Sequence, residues 1–327
     1  METLTQNGIH WILAVQALGA WLQAPMEIFS FLGTENFFLL VLPLIYWCVD
    51  ARVGTQIGFI LITSNYLNGV LKLLFAGPRP YWVSDQVIPF AAETTFGIPS
   101  GHAQNAVSVW GIIAASYRKY WAWILAFALM FFIGFSRWYL GVHFSQDVIV
   151  GWLVGAMLLW VFVRFWNPIE AWLRQKTLRE QVQLAFGVSL VFIVFGVFSA
   201  SRLDSYTFPE AWRTNALRAS DQLPAPVSME GSFTTAGIFF GYAAGVAWIV
   251  SRGGYQAAGS LAQRATRFVV GLIGILILWR GLGLVFPDNA DAISFTFRYL
   301  RYTLVGFWVS AGAPWLFFRF KLANAKM

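Results

Sequence analysis

The chain has 327 residues, of which 58% are hydrophobic and only 11% charged, with 17 Trp and 31 Phe. An ordinary soluble domain carries about 25% charged residues, so this composition excludes a pair of soluble domains and describes a polytopic membrane protein. The formal net charge of +7 belongs to basic cytoplasmic loops and not to a nucleic-acid surface, because no basic cluster is interleaved with aromatics.

A span needs about 20 apolar residues. Runs of that kind lie near 8–24, 36–50, 54–75, 101–117, 120–137, 145–165, 183–200, 234–251, 268–286 and 298–318, so the sequence predicts an all-α helical bundle of about ten spans. The first run is short and broken by Gln16 and Gln23, and lying in the interface is its alternative. The N-terminus METLTQNGIHW lacks the basic stretch and cleavage site of a signal peptide, so the first helix is expected to stay attached. His10 on that run is expected to be a satisfied structural histidine. The lone Cys48 cannot form an intrachain disulfide, and within FFLLVLPLIYWCV it reads as buried filler.

With a cytoplasmic N-terminus, Arg52, Arg118, Lys119, Arg164, Arg174, Lys176, Arg179, Arg252, Arg264, Arg267, Arg319, Lys321 and Lys326 all fall on the cytoplasmic side. The other face keeps Arg202, Arg213, Arg218, Arg298 and Arg301, an asymmetry that matches the positive-inside rule. Three polar stretches, 76–100, 138–147 and 201–233, then share the non-cytoplasmic face. The charged segment 166–182 reads as a solvated connector between a six-span front part, 1–165, and a four-span rear part, 183–327.

Ionisable groups at span ends are functional candidates by default. In LNGVLKLLFAGPRP, Lys72 and Arg79 are seven residues apart, two helical turns, so they share a face if the helix survives Gly77 and Pro78. Two snorkelling cations are the plainer reading. In FGIPSGHAQNAVSVWG, Pro99, Ser100, Gly101 and His102 open the fourth span, where free N–H groups and the helix dipole favour an anion. His102 adds a group suited to proton transfer. In GFSRWYLGVHFSQDVIVGW, Arg137 ends the fifth span, and His143 and Asp147 stand four apart at the start of the sixth. That spacing lets the carboxylate hold one imidazole nitrogen and leave the other to attack; an interfacial pair capping a helix is the alternative. Taken together, three cations, a helix N-terminus, two of the three histidines and an orienting acid meet on one face.

This pattern resembles the phosphatidic acid phosphatase type 2 superfamily. The family pattern is Lys, six residues, Arg-Pro; Pro-Ser-Gly-His; and Ser-Arg, five residues, His, three residues, Asp. Lys72, Arg79-Pro80, Pro99 to His102, Ser136-Arg137, His143 and Asp147 follow it without a departure. The resemblance covers about residues 50–165 and says little about 183–327. It implies that the front part is a phosphatase core removing a phosphate from a lipid phosphate or diphosphate, with no cofactor and no metal. It further implies that His143 is the nucleophile forming a phosphohistidine and that Asp147 orients it. His102 would protonate the leaving group and then activate water, while Lys72, Arg79, Ser100, Gly101 and Arg137 would bind the phosphoryl oxygens. Zinc on the two histidines and Asp147 is the competing chemistry, but three cations repel a divalent ion and no Asp/Glu pair is evident.

The expected partners are a membrane lipid phosphate and the bilayer, with no nucleic acid. The expected setting is a bacterial inner membrane with the site facing the periplasm. A lipid phosphotransferase using the same nucleophile is the alternative enzyme, and a non-catalytic lipid carrier or scaffold is the rival of another class. A carrier has no need of a nucleophile oriented by an acid. In the rear part, Arg280 reads as a snorkelling cation, with contact to a second phosphate as the sharper alternative. The 201–233 stretch, with Trp212, reads as a partly helical lid or a plain polar loop.

Overall fold

A backbone inside a bilayer must satisfy its own hydrogen bonds, and long apolar runs do so as helices. The computed structural model describes residues 2–323, and among them there is no β-strand. In chain order the helices begin with α1 (Glu2–Gln16), α2 (Gln23–Phe31), α3 (Glu35–Leu44), α4 (Ala51–Phe75) and α5 (Pro80–Val83). Then follow α6 (Gly101–Asn105), α7 (Gly111–Tyr117), α8 (Tyr120–Tyr139), α9 (Ser145–Leu173) and α10 (Leu178–Ser201). The last are α11 (Glu210–Ser220), α12 (Glu230–Val250), α13 (Leu261–Leu276), α14 (Ala292–Phe307) and α15 (Ala313–Arg319).

Among the described residues, six helical stretches are long and apolar enough to cross a membrane: Ala51–Val83, Tyr120–Tyr139, Ser145–Leu173, Leu178–Ser201, Glu230–Val250 and Leu261–Gly281. The expectation of about ten spans is therefore not confirmed, and local breaks explain the difference. The first run bends by 86° between Thr5–Gln16 and Ala20–Phe31. The 36–50 run carries Pro43 and ends in a π turn over Ile45–Val49. Between α6 and α7 the helix passes through a π turn at Ala106–Trp110, and Trp308–Gly312 interrupts the last run in the same way. Within the expected connector 166–182, α9 continues to Leu173 and α10 begins at Leu178, leaving only a short turn.

Contacts divide the chain into two compact units. Unit 1 comprises the chain up to Phe37, Leu67–Trp160 and Phe198–Ser228; unit 2 comprises Phe38–Tyr66, Val161–Val197 and the chain from Met229 onward. The units are not consecutive stretches, since α4, α9 and α10 each contribute residues to both.

Unit 1 buries Ile12, Trp82, Phe96, Tyr139, Val142, Phe144 and Ala216 in one cluster. Part of the 201–233 stretch is helical, as α11, and it folds back onto the polar 84–100 loop. Asn215 Nδ2 donates to the Trp82 carbonyl at 3.1 Å, and Ala225 N to the Thr94 carbonyl at 3.0 Å. His10 departs from its expected role: it is exposed, while Ile9, Ile12 and Val15 form the buried face of α1.

Unit 2 is built from aromatics that spend their polar tips on main-chain carbonyls. Tyr46 Oη donates to Ser310 O at 2.7 Å, Trp47 Nε1 to Val309 O at 2.9 Å and Tyr255 Oη to Trp47 O at 2.6 Å. The two acceptors at 309 and 310 lie in the π turn, where the regular helical ladder is disturbed. On α12, Gly237, Gly241 and Gly245 let α14 and its extension approach; a Cβ at Gly241 would collide with Thr303 O. Cys48 is buried here, as expected.

Arg267 is not a loop cation. It lies inside α13, fully buried, and donates to Tyr255 Oη and Ala257 O at 2.9 Å each. Its positive charge tied three nearby carbonyl and hydroxyl groups together, a role that loop-charge counting does not see. Lys326 lies outside the described residues.

Candidate active site

The reactive histidine owes its place to a turn and a helix start. α8 ends at Tyr139, and Gly141 with φ +70° reverses the chain. A Cβ there would stand 2.8 Å from Ile88 O, so the position excludes a side chain on two counts. His143 follows just before α9. Asp147, in the first turn of α9, accepts from Phe144 N at 2.9 Å, the way an acid at the third helical position serves the residue that caps the helix. The same oxygen lies 3.3 Å from His143 Nδ1. Nδ1 is thus occupied, and Nε2 points the other way, 3.4 Å from Arg79 Nη1.

The cations do not share a helix face as the seven-residue spacing suggested. α4 ends at Phe75, Ala76 takes a positive φ of 47°, and Arg79 precedes α5 in extended conformation. They meet through Thr95 instead. Lys72 Nζ donates to Thr95 Oγ1 at 2.7 Å, and Arg79 Nη2 donates to the same oxygen at 3.1 Å. Arg79 further donates to Thr95 O, Phe96 O and Val142 O at 2.6, 3.1 and 3.0 Å, so its plane is fixed. Arg137, at the end of α8, donates to Ser30 Oγ and pairs with Glu93 Oε1 at 2.8 Å.

Ser100, Gly101 and His102 open α6. Ser100 N donates to Asp147 O at 2.9 Å, which ties this turn to the histidine's helix, and Ser100 Oγ caps α6 through Ala103 N. The close approach depends on α9. A Cβ at Gly151 or Gly155 would lie 2.6 Å from Ser100 O or Gln104 O respectively, so these glycines form a small-residue seam against α6. Asn68, one turn before Lys72 on α4, supports the same turn by donating to Pro99 O at 3.2 Å and Gln104 Oε1 at 3.0 Å. His102 is partly exposed, unlike His143, and its ring makes no hydrogen bond within the described residues. All eight expected residues therefore lie in unit 1, joined through Thr95, Glu93 and the Ser100–Asp147 contact.

Sequence reading missed Glu93, Thr95, Asn68 and the Gly151–Gly155 seam. The GWLVG run did carry the four-residue glycine spacing that marks close helix packing. Glu93 and Thr95 carry no such signal, since they sit in an irregular loop. Glu93 lies 2.8 Å from Arg137 and 3.5 Å from Arg79. Burial alone would raise its carboxyl, but Arg79 and Arg137, with smaller contributions from His102 and Lys72, hold it well below the usual carboxylate range. For His143, burial first and then the charges of Arg79, Arg137 and Lys72 push the imidazole well below its usual 6.5, so it is neutral at neutral pH. Among the described residues no three His, Cys, Asp or Glu side chains converge as metal ligands.

A neutral imidazole with one nitrogen held by a carboxylate and the other beside a guanidinium is suited to attack a phosphorus whose oxygens the cations bind. Residues 54–170 match the family model described as PAP2 superfamily, and residues 233–325 match that described as PAP2 superfamily phosphatase, transmembrane extension. Phosphatidylglycerophosphatase B of Bacillus subtilis (strain 168) is 31% identical over 48% of this chain and 80% of its own length. The chain belongs to the PAP2 superfamily. Glucose-6-phosphatase 3 of Bos taurus is 28% identical over 99% of this chain and 98% of that protein. The crystal structure of the first transmembrane PAP2 type phosphatidylglycerolphosphate phosphatase from Bacillus subtilis is 26% identical, with a TM-score of 0.45 over 52% of this chain and 89% of that one. This PAP2 protein is accordingly an integral membrane phosphatase, a hydrolase from a family of lipid-phosphate phosphatases.

Proposed function

We propose that this PAP2 protein removes the terminal phosphate of a lipid phosphate or diphosphate through a phosphohistidine on His143, without a metal. The observation that carries the reading is the two-sided arrangement of that ring, with Nδ1 3.3 Å from Asp147 and Nε2 3.4 Å from Arg79. In the first step Nε2 forms a bond to phosphorus as the bond to the lipid oxygen breaks, and His102 gives that oxygen a proton. In the second step water attacks phosphorus, the N–P bond breaks, His102 accepts the water's proton, and orthophosphate leaves. Asp147 keeps the imidazole in the attacking tautomer. Lys72, Arg79, Arg137 and the Ser100–Gly101 turn bind the phosphoryl oxygens, whose charge grows in the transition state.

The loop charges support an orientation with the site on the non-cytoplasmic face, which in a bacterial inner membrane is the periplasmic one. A cysteine at Ile88 is expected to react with an impermeant thiol reagent in intact cells and one at Lys119 is not; the reverse labelling overturns this orientation. A soluble sugar phosphate is the second reading, favoured by the full-length alignment with the bovine glucose-6-phosphatase. Phosphate release from a panel of lipid and sugar phosphates, with EDTA present, separates the two. Turnover is expected to persist in EDTA and to stop with vanadate. Loss in EDTA with recovery on zinc addition would overturn the histidine-nucleophile mechanism, and phosphorylated lipid in place of free phosphate would indicate a transferase.

A further inference from the structure

Glu93 is an acid that pairs with two of the proposed phosphoryl cations without orienting a histidine. Its two carboxylate oxygens reach different arginines, Oε1 to Arg137 Nη2 at 2.8 Å and Oε2 to Arg79 Nη2 at 3.5 Å. We propose that Glu93 is a tethered anion that occupies the phosphoryl site of the free protein and is displaced by the phosphate of the substrate. This rests on the reading of Arg79 and Arg137 as phosphoryl ligands.

Three observations carry the proposal. The first is the fixed main chain on both sides of the carboxylate. Tyr81 Oη donates to Glu93 O at 2.7 Å and accepts from Glu93 N at 3.2 Å, and Ala225 N donates to the neighbouring Thr94 O at 3.0 Å. The side chain, by contrast, is 26% exposed, so its carboxylate can swing out on its own torsions while the loop stays in place. The second is that each arginine keeps another partner when Glu93 leaves. Arg79 is held by four other contacts, to Thr95 O, Thr95 Oγ1, Phe96 O and Val142 O, and Arg137 by Ser30 Oγ. The third is chemical: a carboxylate spanning two guanidinium groups presents two oxygens as a phosphate does.

A protein whose binding-competent form is only a fraction of the whole binds every ligand of that form more weakly by that fraction. Glu93 then weakens substrate and product alike, and its main benefit is on the product side. Orthophosphate, which has no lipid tail to add binding energy, is returned to water instead of remaining on the cations.

The test is the affinity of the full-length protein in detergent for orthophosphate and for vanadate, compared with Glu93→Gln and Glu93→Asp. The Gln variant keeps the shape and removes the charge, and both inhibition constants are expected to fall about tenfold. The Asp variant is too short to span both arginines and is expected to fall between the two. If the Gln variant does not fold, the Asp variant carries the same comparison. Inhibition constants that stay the same or rise would overturn the proposal and make Glu93 a permanent part of the arginine scaffold. Orthophosphate binding measured by thermal shift in the His143→Ala background separates this from the mechanism. Turnover surviving in that background would remove the phosphohistidine reading while the effect of Glu93 on binding is still read. Absence of orthophosphate binding in every variant would remove both.

Discussion

Arg79 and Arg137 in unit 1 and Arg267 in unit 2 are all fully buried, yet their surroundings differ in kind. Arg267 donates to a tyrosine hydroxyl and to carbonyls of its own neighbourhood, with no carboxylate among its partners in the described residues. Arg79 and Arg137 are also held by fixed acceptors, but each turns one nitrogen toward Glu93, and Arg79 turns another toward His143 Nε2. A buried guanidinium is therefore not a sign of chemistry by itself. Charge left for an exchangeable anion, next to a group that can attack, is what separates the two environments.

The contrast can be broken first at the histidine. His143→Ala is expected to lower kcat by about a thousandfold or more, because no other group in the site is positioned to attack. Asp147→Asn is expected to retain more than His143→Ala, since it orients the ring without reacting. Equal and modest losses at both positions, in protein that still folds, would reduce the pair to a structural cap.

Arginine replacement tests the comparison directly. Arg137→Met is expected to cost about a hundredfold in kcat/KM through lost transition-state binding. Arg267→Met is expected to leave kcat unchanged and lower stability by about 3 kcal/mol, because it strands buried acceptors. Thermal unfolding and steady-state kinetics on the same two preparations decide it. A loss of turnover at Arg267 with normal stability would erase the distinction between the units.

The two glycine seams sharpen the same point. Gly151→Val forces α9 against Ser100 O, and the expected result is a fall of about thirtyfold in kcat/KM, since small misplacements of reacting groups are costly. Gly241→Val in unit 2 collides with Thr303 O, and here the expected result is a lower unfolding temperature, with kinetics of the remaining folded protein near normal.

The smallest effect is on acid stability. His143 is neutral in the folded protein below its usual 6.5, so the unfolded chain takes up the proton first. Stability from this group is complete above pH 6.5 and declines as pH falls, by about 1.4 kcal/mol per pH unit for one proton. Glu93, whose folded value is also depressed from 4.5, adds a second decline below that point. The unfolding temperature in detergent is expected to drop below pH 6, and His143→Ala should lessen that drop. Greater stability in acid would contradict both assignments.

The candidate site was largely legible in the sequence because its chemistry is linear. Ser100 to His102 and the His143–Asp147 pair sit in short motifs at helix starts, where spacing along a turn translates directly into proximity, whereas the spacing of Lys72 and Arg79 did not predict how they meet. The span count was less legible. Apolar content marks a run as buried in lipid or protein alike, and π turns at Ile45–Val49, Ala106–Trp110 and Trp308–Gly312 leave no mark that hydropathy can read. The burial of Arg267 was not legible for a related reason: its partners are a tyrosine hydroxyl and two carbonyls, which local sequence does not single out.

Composition and local spacing by themselves determined the helical membrane class, the loop-charge asymmetry, and the pairing of His143 with Asp147, all of which depend on interactions within a turn or with the solvent. Only the tertiary structure decided how Lys72 and Arg79 meet, since the helix between them ends at Phe75 and a threonine from the 84–100 loop joins them instead. It also brought Glu93 between two arginines and laid residues 201–228 on the loop that carries it. Those contacts join segments far apart in the chain, and their energies depend on which irregular loop is held where, which no local pattern of residues encodes.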